Sequence, residues 1–195
     1  MMGAGLVLYQ LYLGMTAYLA FVLWRDHRQR VFPAFTAYVS ACLLKSSLLF
    51  PLWAAGYRRL YAVLFWELRP VMFFLAAAVA VELLAQAYVD EKITAARPTA
   101  ALVLPALLLA VAPSLALDRG LRLATSAALA GLLPRLPQMA PPARAIAGGL
   151  LVITMLPAAS ETMRALLPGS ALQFVPTASA TLATAIWIRA FTVRD

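Results

Sequence analysis

The chain has little of what usually carries chemistry: one cysteine, one histidine, two lysines and eight carboxylates in 195 residues. Cys42 sits in an apolar run and has no second cysteine to pair with, so an internal disulfide is excluded. With His27 as the sole histidine, no Cys/His cluster of metal-ligand spacing exists, and we expect no metal. No phosphate loop, nucleophile elbow or zincin motif occurs, and nothing implies a cofactor. Charge is scarce too. At 12% charged and 64% hydrophobic residues, with a mean hydropathy of +0.84, there is too little polar surface to coat a soluble globule. Lipid is the solvent this composition fits.

What is present is a series of apolar runs. Seven can be drawn, at 6–24, 31–54, 60–88, 99–117, 119–136, 144–167 and 170–191. A helix crosses a hydrocarbon core of about 30 Å in about 20 residues, so the chain accommodates seven spans, short loops and no soluble domain. The expected fold is an all-α polytopic bundle of seven transmembrane helices, one integral membrane domain over 1–195. The N-terminus has no positive n-region and reads as a retained first span rather than a signal peptide. The third run is longer than a bilayer needs and is expected to tilt or project around a kink at Pro70. Pro105, Pro113, Pro157 and Pro176 fall in the later runs.

The net charge of +8 would suggest nucleic acid in a soluble protein. Here the cations stand singly or in pairs between apolar runs, as topology determinants beside anionic headgroups do. Lys and Arg number nine in the loops of one side, beginning with Arg25, Arg28 and Arg30, and five in those of the other. The positive-inside rule then expects the N-terminus outside, the C-terminus in the cytoplasm, and a multi-pass protein of a bacterial cytoplasmic membrane.

Ionisable groups inside spans are expensive and are the best functional leads. Lys45 lies about 9 Å below the outer face and Glu67 reaches about 10 Å from the same face, at 1.5 Å per residue. The two are expected to pair on neighbouring antiparallel helices, as a register-setting salt bridge or as part of a ligand or proton site. Glu161 has Arg122 and Arg164 as candidate partners. Lys45, Glu67, Arg69, Arg122 and Glu161 thus share one level, as a wet vestibule or as independent pairs. Glu82 stands apart near the other face, where Arg28, Arg30 or protonated His27 are its expected partners in an inner lock.

Seventeen of the twenty aromatic residues precede position 96. Small residues four apart, Ala127 and Gly131, Ala145 and Gly149, Ser179 and Ala183, permit close helix approach. The last run carries no lysine, which excludes the retinal linkage of microbial rhodopsins; seven spans alone do not make a photoreceptor.

Phe32-Pro33-x-Phe35-x-x-Tyr38 after a basic loop, Tyr61 with Trp66, Glu82, Leu117-Asp118-Arg119 with Arg122, Gly148-Gly149, and Glu161 with Arg164 resemble a group of small seven-helix bacterial membrane proteins. The likeness covers about positions 25 to 165. Many of those proteins read Glu at Asp118 and end in Pro-Glu where this chain ends Arg194-Asp195. The resemblance implies seven spans and brings no activity.

On function, the expected class is a ligand- or partner-binding sensor or accessory subunit, its partner a second membrane protein or another copy of the chain. A small-solute or ion transporter or channel is the alternative, and an intramembrane enzyme comes third. The charges gather near the two faces and the middle of the later runs is dry, which favours binding over passage.

Overall fold

The computed structural model describes residues 2–88, 125, 129, 133–166 and 174–193. Among them the chain is all helical: α1 (Met2–Arg25), α2 (Pro33–Ala54), α3 (Arg58–Tyr88), α4 (Pro141–Leu166) and α5 (Val175–Thr192). Short 3-10 turns cover Arg28–Arg30 and Leu133–Gln138. Three helices are long and apolar enough to cross a membrane, over Leu6–Arg25, Pro33–Ala54 and Arg58–Ala87. Their outward surfaces carry Val7, Leu11, Phe21, Leu44, Leu48, Val63 and Val71, exposed side chains that lipid can solvate and water cannot.

Five of the seven expected runs coincide with these helices. The fourth, at 99–117, lies outside the described residues. So does most of the fifth, where Thr125 and Leu129 are helical and the end, from Leu133, turns in a 3-10 helix instead of continuing as a span. Ala127 and Gly131, Pro105 and Pro113, and the Leu117-Asp118-Arg119 motif with Arg122 also lie outside. Helix α3 runs unbroken through Pro70.

The helix ends follow from local chemistry. Helix α2 opens on Pro33, whose missing N–H is one of the groups a first turn leaves unbonded anyway. It closes in a Schellman motif: Gly56 N–H donates to Trp53 O at 3.1 Å and Tyr57 N–H to Leu52 O at 2.9 Å, with Gly56 at φ 80°. That left-handed residue reverses the chain into α3 with almost no loop.

The helices form a ring in the order α3, α2, α1, α5, α4, closed by a lighter contact of α4 with α3. The tightest seam joins α4 to α5. A Cβ at Gly149 would fall inside the Trp187 indole, so only glycine lets that ring lie against α4. The indole N–H donates to Ala145 O at 3.1 Å, and its faces meet Phe35 and Tyr38 of α2 with ring centroids 5.0 and 6.3 Å apart. The small-residue spacings 145/149 and 179/183 are therefore used inside the bundle, with Ser179 and Ala183 buried.

Candidate functional site

Two features organise the interior, one at each end of α2. At the basic-loop end, Glu82 of α3 reaches the first turn of α2. Its two carboxylate oxygens accept the backbone N–H groups of Ala34 and Phe35, each at 3.2 Å, and the residue is 8% exposed. Those are orphan donors of a helix whose own N-cap, Phe32, supplies no side-chain acceptor. The carboxylate also meets the positive end of the helix dipole. One turn along α3, Gln86 Nε2 donates to Val31 O at 3.3 Å.

This corrects the expected inner lock: Glu82 is not paired with Arg28, Arg30 or His27 but caps α2 across the helix–helix interface. The physical reason is competition. Backbone donors are already fixed at the carboxylate, whereas the arginines would surrender hydration and side-chain entropy to reach it. Arg30 is exposed and Arg28 half-buried, and the ion pair formed among the described residues in this region is Arg25 with Asp26, at 2.8 Å.

Toward the Gly56 end, the ring of helices surrounds a partly open cavity of about 580 Å³. Each wall is one helical face. Tyr9, Tyr12, Thr16 and Leu19 come from α1; Tyr38, Cys42, Lys45, Ser46 and Leu49 from α2; Tyr61, Phe65, Arg69, Met72 and Ala76 from α3. Leu150, Ile153, Thr154 and Pro157 of α4 and Pro176, Thr177, Ala180, Thr184 and Trp187 of α5 also line it, as does Thr125. The recurring steps of three and four residues are those of a single helix face.

Lys45 Nζ lies 4.9 Å from the centre of the Phe65 ring. The Arg69 guanidinium stacks 4.8 Å over Trp66 and 5.7 Å from Phe73. Aromatic faces hold both cations, each worth about 0.5–2 kcal/mol depending on desolvation. Tyr9 donates its hydroxyl to Ser46 O at 3.1 Å, tying α1 to α2 beside Lys45. Cys42, Tyr12 and Tyr38 line the cavity together.

The expected Lys45–Glu67 salt bridge does not form. Glu67 is exposed. It follows Phe65 by two residues, about 200° around the helix, so it points away from the wall that Phe65 and Arg69 build. The direction each side chain takes around its helix axis keeps the two apart. Of the five residues expected at this level, Lys45 and Arg69 come together in the cavity wall and Glu67 does not. Arg122 lies outside the described residues, as do the side chains of Glu161 and Arg164, whose backbone belongs to α4.

Lining residues that the sequence does not single out as site candidates are Tyr9, Tyr12, Cys42 and Trp187, with Tyr38 and Tyr61, which enter only through the resemblance. A signal existed, since hydroxyls recur at helical spacing within otherwise aliphatic runs. In lipid, however, both faces of a span are apolar, so periodicity does not announce which face is internal.

No family model, curated protein or solved structure matches the chain. The reading of the site rests on its own geometry.

Proposed function

We propose that this chain is a membrane-embedded binding module: a multi-pass protein of a bacterial cytoplasmic membrane that holds a small molecule in its helix ring and serves as a sensor or accessory subunit. The observation that carries the reading is the cavity of about 580 Å³, within the range of sites for drug-sized ligands and lined by aromatic and aliphatic side chains with a few polar groups. The seven spans and the external N-terminus suggested by the basic loops belong to this proposal.

A blind end supports binding over passage. Between the cavity and the basic-loop end, Phe35 stacks on Phe191 with centroids 5.9 Å apart, Phe35 meets Trp187 edge-on, and Phe32 meets Phe191 at 6.1 Å. Leu23, Val79 and Leu83 are fully buried in the same layer. A transported solute would have to part this aromatic layer. The transporter alternative has one observation in its favour, that Pro157 and Pro176 both line the cavity, where helices can bend.

The test is extraction. Protein purified from its native membrane in mild detergent should release a small molecule in a ratio near one per chain, identified by mass spectrometry. Ala180→Phe, which intrudes into the cavity, should release clearly less. If the wild-type chain is empty, and vesicles containing it show solute flux, the binding reading is wrong and transport takes its place.

A further inference from the structure

We propose that the ligand of this cavity is an amphiphilic carboxylate, with its acid group at Lys45 and its apolar body lying along the wall toward Trp187. This rests on the binding reading above and adds the chemistry of the ligand.

Lys45 is the first observation. Its ammonium lines the cavity against the face of Phe65, with no hydrogen bond or ion pair to any other described residue. The described residues that line the cavity include two charged side chains, Lys45 and Arg69, and no carboxylate. A cation within a span stays charged at acceptable cost when an anion meets it. Phe65 offers a quadrupole, which orients the ammonium and leaves its three donors to be used.

The second observation is where polarity ends. From Lys45 to Tyr38 along α2 is seven residues, about 10 Å. Over that stretch the lining includes Leu19, Val39, Met72, Ala76, Leu150 and Trp187. The threonines there contribute less polarity than their number suggests. Thr16 and Thr184 donate their hydroxyls to the carbonyls of Tyr12 and Ala180, four residues back, at 2.8 Å, and Thr154 does the same to Leu150 at 2.9 Å. Each spends its donor on its own helix. Trp187 likewise spends its N–H on α4. Tyr12, Tyr38 and Cys42 add weakly polar groups on that stretch, so the site is charged at one end and mainly apolar beyond it.

Arg69 is already engaged, stacked over Trp66 and close to Phe73, which leaves the Lys45 ammonium as the cation a ligand head would meet, and a singly charged head fits one ammonium better than a phosphate dianion does. A dicarboxylate would bury its second charge against Leu19 and Trp187. At about 1.2 Å per bond, 10 Å matches a chain of about eight carbons or a fused aromatic ring pair. The acid comes either from the lipid phase, as a fatty acid, or from solution, as an aryl acid.

The full chain in nanodiscs of neutral lipid, with empty discs subtracted, should bind radiolabelled octanoate saturably. Octan-1-ol and octylamine should bind at least tenfold more weakly. Shortening toward butanoate should cost up to about fourfold per methylene removed. Lys45→Met should weaken octanoate at least tenfold while leaving octan-1-ol unchanged, which also verifies the fold, and Lys45→Arg should restore most of the affinity. Competition by 2-naphthoate against hexadecanoate tells solute acid from lipid acid, and either winner supports the proposal. Equal binding of octanoate and octan-1-ol, or indifference to Lys45→Met, overturns the carboxylate and leaves a binding module of other specificity. If no probe binds, the carboxylate is overturned, and the extraction experiment decides whether the binding reading falls with it.

Discussion

Glu82 and Phe35, 47 positions apart, are joined by a 3.2 Å hydrogen bond from the Phe35 N–H to the Glu82 carboxylate. Since Phe35 also carries the aromatic layer below the cavity, one contact sets the height of α3, the start of α2 and the floor of the site. Capping residues ordinarily come from the chain just before a helix. Here the cap comes from the neighbouring span, so it locks two helices in register as well as satisfying one.

Removing that cap should be costly. Glu82→Ala leaves two buried N–H groups without an acceptor and should destabilise the protein by about 2 to 4 kcal/mol. Glu82→Gln keeps one acceptor and should lose less. Arg28→Ala and Arg30→Ala, which break no bond to Glu82, should stay within about 0.5 kcal/mol. Unfolding in mixed micelles reads all four; a large loss in the arginine variants would restore the ion-pair lock.

Adjacent glycines should behave differently. Gly149→Ala places a methyl where the Trp187 indole lies and should cost about 1 to 3 kcal/mol through displacement of that ring. Gly148→Ala meets nothing within 4 Å and should be neutral or stabilising by up to about 1 kcal/mol, since alanine favours helix. Thermal unfolding of the two variants side by side checks this, and equal effects would contradict the packing described.

A double-mutant cycle separates the partner Lys45 has from the one its depth suggested. Lys45→Met with Phe65→Leu should show a coupling of about 0.5 to 2 kcal/mol. Lys45→Met with Glu67→Gln should show a clearly smaller one, because Glu67 faces outward. Coupling confined to the Glu67 cycle would mean that the ammonium reaches around α3.

The turn between α2 and α3 supplies a local test. Gly56 at φ 80° is the residue of the Schellman motif that a side chain strains. Gly56→Ala should lower stability by about 1 kcal/mol, and Gly56→Asn by less, since asparagine tolerates the left-handed region. A denaturation series on the three chains measures it; no difference among them would show that the turn relaxes freely.

Helix positions were legible because a span must satisfy its own backbone and present apolar side chains for about 20 residues, whatever it packs against. The runs at 31–54 and 60–88 therefore coincide with α2 and α3 to within two residues. Lys45 and Arg69, expected at one level from the rise per residue, both line the cavity. The inner role of Glu82 was half legible: its burial cost marked it, but its partners are backbone groups, which no residue type advertises.

By itself, the sequence determined that this protein is helical, that it is built for lipid by its composition, and where its described helices run. Those properties are sums along one chain: hydrophobicity over a window and 1.5 Å per residue. Tertiary structure alone decided azimuth, which is a relation between helices. It turned Lys45 toward Phe65 and Glu67 away, laid Trp187 on Gly149, and brought Glu82 to the open end of α2. In a membrane both faces of a helix are apolar, so the choice of the inward face falls to packing and hydrogen bonds between helices, and the cavity exists where those choices leave a gap.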